Sequence, residues 1–365
     1  MSGGVLFVMP TWATPSELWL QRMLDALRGD LAAVACYRPG ESMWGGVCPT
    51  IDLIDHDRAP GVLAAAIEAL KPRGVLVHYL PFALRLAAAL WEIDADVLVH
   101  AHGYDVRWDG RRPEPPHDKR FDSDYPGNVR AMSRWAKLIA NSRFTQQRLE
   151  AIGIDPSRIV LKPLGVPVPD ASSLRVRPPA PPLRVLYLGR LIDFKGPDLT
   201  LRAFSLACER GLDATLTVAG DGPEQRACER LAAELPVAAR IRLLGCIDAE
   251  MGEKLRLESH VFTAHSRTGP RTHQQEAFGV SFVEAMACGL PVVSGRDGSL
   301  PEIVGHREHG LLFDPGNVDA HADALLQLAD DPALRNRLGE AARAHAAAQY
   351  AQPIEAEQLR KLFAS

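Results

Sequence analysis

Cysteine is sparse in this chain. Its six cysteines (Cys36, Cys48, Cys208, Cys228, Cys246, Cys288) are scattered over 365 residues, and no two stand in C-x-x-C spacing. With no signal peptide at the start, that predicts reduced thiols in a cytoplasm and no structural zinc. No stretch approaches the roughly 18–20 uninterrupted apolar residues of a membrane span, which leaves at most peripheral contact with a membrane. Excess charge is also missing. There are 41 Lys and Arg against 45 Asp and Glu, and neither half is polarised: 19 against 20 up to Asp170, 22 against 25 beyond it. A net charge of −4 gives no reason to expect nucleic acid. No internal repeat is visible. No G-x-G-x-x-G follows the first apolar run with an acid about twenty residues further on, which argues against a nicotinamide dehydrogenase.

What is present is a regular alternation. Gly4–Pro10 reads as a buried strand, followed by a helix with apolar residues at Leu18, Trp19, Met23, Leu24 and Leu27. Thr14 or Ser16 is its expected N-cap. Strand and helix then repeat. Leu53–Asp57 is predicted as a strand, Gly61–Leu70 and Phe82–Glu92 as helices, and the VLVHAHGYD segment as a strand ending near His102. Val129–Ala136 is predicted as a helix. Apolar strands alternating with helices imply a parallel sheet covered on both faces, with ligands outside the carboxyl ends of the strands. Seven prolines fall between Pro163 and Pro182. They mark a semi-rigid linker. The expected plan is an α/β chain of two domains, 1–166 and 183–351, joined by a linker over 167–182.

The densest chemistry lies between Thr268 and Leu300. Glu276-Ala-Phe-Gly279 reads as a loop, Ser281–Cys288 as a short helix, Gly289 as its stop, and VVS as a buried strand. A loop entering a helix offers free N–H groups and a positive dipole end, which suits a phosphate. Glu276 and Glu284 would stand on either side of that end. A carboxylate beside a phosphate is unfavourable unless it accepts hydroxyls, so the pattern points to a ligand carrying both phosphate and polyol, a sugar nucleotide. Upstream, G-R-L-I-D-F-K-G sets Arg190 and Lys195 in a glycine-bounded turn after a strand, two cations fit to clamp a diphosphate. Gly189, Gly220 and Gly222 would let a nucleotide approach the backbone. The Asp122-Ser-Asp124 triplet sits in a loop ahead of a helix, not at a strand end, and no metal ligands are assigned.

The run E-A-F-G-V-S-F-V-E-A-M-A-C-G-L-P-V-V resembles the E-x7-E signature of retaining glycosyltransferases of family four, of the exopolysaccharide and lipopolysaccharide type. The G-R-x-x-x-x-K-G element, Pro-Glu-Ile-Val and Gly-Leu-Leu-Phe resemble that family too. The resemblance implies the GT-B architecture: two Rossmann-like parallel-sheet domains facing a central cleft, with the last helix (352–363) packing back on the first domain. It implies a metal-independent hexosyltransferase with no cofactor. The donor would be a UDP- or GDP-linked sugar, and the acceptor a carbohydrate, small molecule or lipid-linked glycan, in the cytoplasm or at the inner membrane face. Arg190, Lys195 and the Gly279–Ser281 backbone, Val280 included, would meet the leaving diphosphate. Glu284 would hold ribose hydroxyls. Glu276 and His102 would hold the donor sugar. Gly245 and Ile247 would lodge the base, and Phe278 completes the donor set. Ser16, Glu17, His78 and Asp105 are the acceptor-side candidates. Two other readings of the same architecture are a UDP-sugar 2-epimerase and a non-catalytic nucleotide-sugar binding module.

Overall fold

A computed structural model describes the chain except residues 1–2, 12–17, 38–47, 108–123, 171, 173, 175–176, 179 and 365. The candidate cap Thr14 or Ser16, the acceptor candidates Ser16 and Glu17, and most of the Asp122–Asp124 triplet lie outside the described residues. The chain separates into two compact units, residues 1–165 together with 352–365, and residues 166–351. Among the described residues, no helix is long and apolar enough to cross a membrane.

The first unit runs β1 (Val5–Thr11), α1 (Leu18–Leu27), β2 (Leu31–Tyr37), β3 (Thr50–Asp52), α2 (Ala59–Leu70), β4 (Gly74–His78), α3 (Leu80–Arg85), α4 (Ala87–Leu90), β5 (Asp96–Ala101), α5 (Tyr125–Met132), β6 (Lys137–Ala140), α6 (Arg143–Glu150) and β7 (Ile159–Leu161). Its strands form one sheet in the order β3-β2-β1-β4-β5-β6-β7, with every pairing parallel. Val5 to Met9 and the whole of β4 are buried, as strands covered on both faces must be. Three local expectations fail. The strand stands at Thr50–Asp52 rather than Leu53–Asp57, because Asp55 accepts the N–H groups of Asp57 and Arg58 and turns the chain into α2. The helix expected over 82–92 divides at Leu86, whose backbone leaves helical geometry with ψ 2°. The helix expected over 129–136 starts and ends four residues earlier, with Pro126 in its first turn.

The second unit holds β8 (Leu183–Leu188), α7 (Pro197–Glu209), β9 (Ala214–Ala219), α8 (Gln225–Glu234), β10 (Ile241–Leu243), α9 (Ala249–Glu258), β11 (Val261–Ala264), α10 (Val280–Ala287), β12 (Val292–Gly295), α11 (Leu300–Ile303), β13 (Gly310–Phe313), α12 (Val318–Asp330) and α13 (Pro332–Gln349). Its sheet has the order β10-β9-β8-β11-β12-β13, again parallel throughout. In both sheets the order reverses beside the strand that opens the unit, the place where such folds bind ligands.

A buried polar chain ties β11 and β12 to α12. The Gly316 N–H donates to His265 Nε2 at 2.9 Å, so His265 carries its proton on Nδ1 and donates to His321 Nδ1 at 3.1 Å. His321 Nε2 then donates to Thr263 Oγ1 at 2.7 Å, and that hydroxyl donates to the Val293 carbonyl at 3.0 Å. Each donor and acceptor is used only if both rings are neutral. Burial pushes both rings that way: His265 is held down at about 4, and His321 falls well below the ordinary range.

The last helix, α14 (Gln352–Leu362), belongs to the first unit. Gln352 donates to the Arg22 carbonyl at 2.7 Å, Arg360 reaches Asp30 and the Ala26 carbonyl, and Phe363 fills the space over Gly74. Beneath it, Lys162, at the exit of β7, and Glu355 form an ion pair buried on both sides.

Candidate active site

The carboxyl ends of β8, β9 and β10 are built from backbone alone. The Gly189 N–H donates to the Ala219 carbonyl at 3.0 Å, and the Gly220 N–H to the Gly245 carbonyl at 2.7 Å. Gly220 has φ 130°, and a Cβ there would lie 2.0 Å from the Gly189 carbonyl oxygen. Gly222 is likewise pressed against Leu191. These two glycines are needed by their own backbone neighbours, whereas Gly189 and Gly245 face space. A Cβ on Gly189 would meet only Ser281 Oγ, at 3.9 Å, and one on Gly245 would meet nothing. A shallow pocket lies alongside, lined by Leu191, Val218, Gly220, Gln225, Glu229, Leu243 and Gly245. Ile247 follows, half-buried, just ahead of the Asp248 cap of α9.

After β8 the chain makes a tight turn, Asp193–Lys195, ended by left-handed Gly196. Arg190 is exposed on this turn, and its carbonyl accepts the Tyr187 hydroxyl at 2.9 Å. Lys195 points to the other loop of the site, where its ammonium donates to Glu276. Side-chain exposures of 12% and 8% make this a largely desolvated pair. Asp193 fixes the approach. Its carboxylate accepts the N–H groups of Arg271 and Thr272 at 2.8 and 2.9 Å and the Thr272 hydroxyl at 2.6 Å. Burial alone would raise the Asp193 carboxyl, but these hydrogen bonds outweigh it and hold it below its usual value. The stretch 268–275 is pinned further by pairing of Arg271 with Glu224, and by Asp297, which accepts from Thr268 and Gln275. Arg267 lies beneath, against Asp198.

Glu276 is 6% exposed, and its carbonyl accepts the Ser299 N–H at 2.8 Å. Gly279 caps α10 with φ 80°, a conformation that suits glycine, and the first helical bonds run to its carbonyl from Phe282 and Val283. The N–H groups of Val280 and Ser281 precede those bonds, at the positive end of the helix dipole. Phe278 turns into the core, edge-on to Tyr350 with ring centroids 5.6 Å apart. Glu284 pairs at 3.0 Å with Arg256 of α9, itself 6% exposed.

The structure therefore brings together Lys195 and Glu276, and Gly189 and Ser281. Arg190 is exposed, and none of its described side-chain contacts reaches Lys195 or Glu276. Three residues that organise the site escape a reading by motif: Asp193, Arg256 and Asp297. Asp193 lies inside the G-R-L-I-D-F-K-G element, between the two cations that carry its recognisable charge. Arg256 is the single arginine of α9, among alternating charges that give it no distinguishing spacing.

In the first unit, His78 and His100 are paired neighbours at the ends of β4 and β5, and His102 follows. His78 Nδ1 and His102 Nε2 stand 3.0 Å apart, and Trp19 packs on His102 with centroids 4.5 Å apart. Burial holds all three imidazoles well below their ordinary pKa, with the neighbouring histidines or Lys162 adding to the effect. Asp105 accepts the backbone N–H groups of His102 at 2.7 Å and Leu80 at 3.1 Å. Burial lifts its carboxyl to about 6 against the pull of those bonds.

Residues 175–345 match the family described as "Glycosyl transferases group 1". The chain is similar to the GDP-mannose-dependent alpha-(1-6)-phosphatidylinositol monomannoside mannosyltransferase of Mycolicibacterium smegmatis. The two are 30% identical over 257 residues, which is 68% of this chain and 64% of that protein. It is also similar to the amylovoran biosynthesis glycosyltransferase AmsK of Erwinia amylovora, 28% identical over 308 residues, 83% of this chain and 73% of the other. A shorter match, to a related monoacylated phosphatidylinositol monomannoside mannosyltransferase of Corynebacterium glutamicum, spans 45% of that protein at 31% identity. The chain thus spans roughly half to two thirds of these two mannosyltransferases. Among solved structures, Anabaena Alr3699/HepE in complex with UDP and glucose superposes with a TM-score of 0.78 at 19% identity, over 100% of both chains. The apo form of the lipopolysaccharide outer core galactosyltransferase WaaB superposes with a TM-score of 0.71 at 15% identity, over 98% of both. At those identities the superpositions show the shared GT-B fold.

Proposed function

This chain belongs to the glycosyl transferases of group 1, and on that premise we propose that it transfers a sugar, with retention, from a nucleoside diphosphate sugar to an acceptor hydroxyl. The observation that carries this reading is the convergence of Lys195 and Glu276 at the start of α10, beside the open face of Gly189. A desolvated cation and a helix N-terminus suit a diphosphate, and an adjoining carboxylate suits sugar hydroxyls.

In this reading the bond between the anomeric carbon and the β-phosphate oxygen breaks, and a bond from that carbon to the acceptor oxygen forms on the same face. The acceptor proton passes to the departing phosphate oxygen. Lys195, Arg190 and the Val280 and Ser281 N–H groups meet the negative charge as it develops. A diphosphate that draws Lys195 away leaves Glu276 to accept sugar hydroxyls and to steady positive charge at the anomeric carbon. Glu284, held by Arg256, accepts the ribose hydroxyls. The pocket beside Gly245 takes the base. We propose that turnover needs no divalent metal, because these cations and the helix end supply the charge a metal would.

For the donor, the M. smegmatis relative is named for GDP-mannose and the HepE structure contains UDP; both bases stay in the proposal. The acceptor we propose is a lipid-linked or free glycan, following the phosphatidylinositol and amylovoran relatives. The test is calorimetry of the full chain with UDP, GDP, ADP and their sugars, followed by transfer assays in EDTA. One nucleoside diphosphate binding well ahead of the rest, with transfer surviving EDTA, is the expected result. No binding by any of them would overturn the proposal.

A further inference from the structure

Glu276 is held in two separate ways. Its side chain meets Lys195, while its backbone is gripped by three residues that follow β12. The Glu276 carbonyl accepts the Ser299 N–H at 2.8 Å. Gly298, at φ 56°, lies so close that a Cβ on it would stand 2.1 Å from that same oxygen. Asp297 works on the other flank. Its Oδ1 accepts Gln275 Nε2 at 3.0 Å and Thr268 Oγ1 at 3.1 Å, so a single atom joins the two ends of the stretch 268–275. Burial raises the Asp297 carboxyl above its ordinary value, against the pull of Gln275, Thr268 and the Glu276 N–H. Its other oxygen, Oδ2, is buried with no hydrogen-bond partner. A second buried carboxylate beside Glu276, with one oxygen unpaired, costs stability, and such costs concentrate at functional sites.

The two grips differ in what they survive. A diphosphate that draws Lys195 away removes the hold on the Glu276 side chain. The hold on its backbone runs through the residues after β12 and uses no atom of Lys195 or α10. Resting on the sugar-transfer reading of this site, we propose that Asp297 is a specificity-determining residue for the donor sugar. It positions Glu276 through the backbone, and Glu276 reads the sugar hydroxyls. A carboxylate that tells one hydroxyl configuration from its epimer has to be held to within about 0.5 Å. Nucleotide recognition stands apart, because the diphosphate and ribose fall to Lys195, the start of α10 and Glu284. Loosening Asp297 therefore blurs the choice of sugar and leaves the grip on the nucleotide.

The experiment compares the unaltered full-length chain with Asp297→Ala, Asp297→Asn and Gln275→Leu. Calorimetry gives the affinity for UDP and GDP. Release of the nucleoside diphosphate gives kcat/KM for two epimeric pairs, UDP-glucose with UDP-galactose and GDP-mannose with GDP-glucose. In Asp297→Ala the affinity for the nucleoside diphosphate is expected within about twofold of the parent. Its kcat/KM for the preferred sugar falls about ten- to a hundredfold, and the preference between epimers falls at least about tenfold. Asp297→Asn keeps an oxygen for Thr268 and Gln275 and recovers most of the preference. Gln275→Leu removes one bond from the far side and stays readable if Asp297→Ala fails to fold; its preference falls about three- to tenfold. Parent-like preference in Asp297→Ala or Gln275→Leu would overturn the proposal, as would equal losses for both sugars and the free nucleotide. A parent that binds neither UDP nor GDP would overturn the transferase reading itself, and this inference with it.

Discussion

Lys195 and Glu276, from loops 81 residues apart in sequence, form an ion pair at the N-terminal end of α10. The pair makes a clean kinetic prediction. Lys195→Ala should lower kcat by about a hundred- to a thousand-fold, with a smaller change in donor affinity, because the charge matters most as the leaving oxygen gains charge. A cation at a loop tip would be expected to add little to stability, but Lys195 is desolvated against a carboxylate. The variant should therefore also lose about 1–3 kcal/mol of stability. Saturation kinetics with thermal melts separate the two effects, and near-normal kcat in a folded variant would remove Lys195 from the mechanism.

Glu284→Gln should behave differently. Contacts to ribose change little while the glycosidic bond breaks, so the donor KM should rise more than kcat falls. Arg256→Met should give the same kinetic pattern with an added loss of stability, since it leaves Glu284 buried without its cation. A pure kcat effect in either variant would place Glu284 at the reacting carbon instead.

The His265–His321 chain predicts acid lability. Both rings have folded-state values below the unfolded value of about 6.5. Below that pH the unfolded chain binds protons that the folded chain refuses, so stability is full above it and falls until pH passes the folded value, about 4 for His265. From His265 alone the loss between pH 7 and pH 5 is about 2 kcal/mol. Melts of the full chain over this range should drop steadily, and a flat profile would mean the rings are not held neutral.

The Lys162–Glu355 pair tests how α14 is held. Lys162→Met leaves a carboxylate buried alone and should cost about 3–5 kcal/mol, whereas Lys162→Met with Glu355→Leu should recover most of it. Denaturant unfolding of the three proteins decides this. Equal stability of the single and double variants would show that the pair is not a buried charge contact.

Regular elements were legible where local chemistry fixed both ends. The helices α7, α12 and α13 begin where the sequence itself marks a start, with proline at the first turn of α7 and α13, and Asn317 and Asp331 as side-chain caps. Legibility failed where a side chain competed with the pattern, as at Asp55, or where an apolar run hid a break, as at Leu86. Motif spacing brought Glu276, Glu284 and Lys195 to notice, but not what each one touches. Lys195 with Glu276, Glu284 with Arg256, and His78 with His102 are contacts made by strand order, and strand order is a property of the whole sheet.

The placement of α14 has a consequence for synthesis. The first unit takes its closing helix from residues 352–362, so the second unit, continuous from Val166 to Ala351, lies between its two parts on the chain. A ribosome delivers the N-terminal sheet first, yet Lys162 lacks its carboxylate and the space over Gly74 stays unfilled until residues 352–363 emerge. The later-made unit has its whole sequence first. Domains of this kind fold as units, so here the order of completion runs against the order of translation.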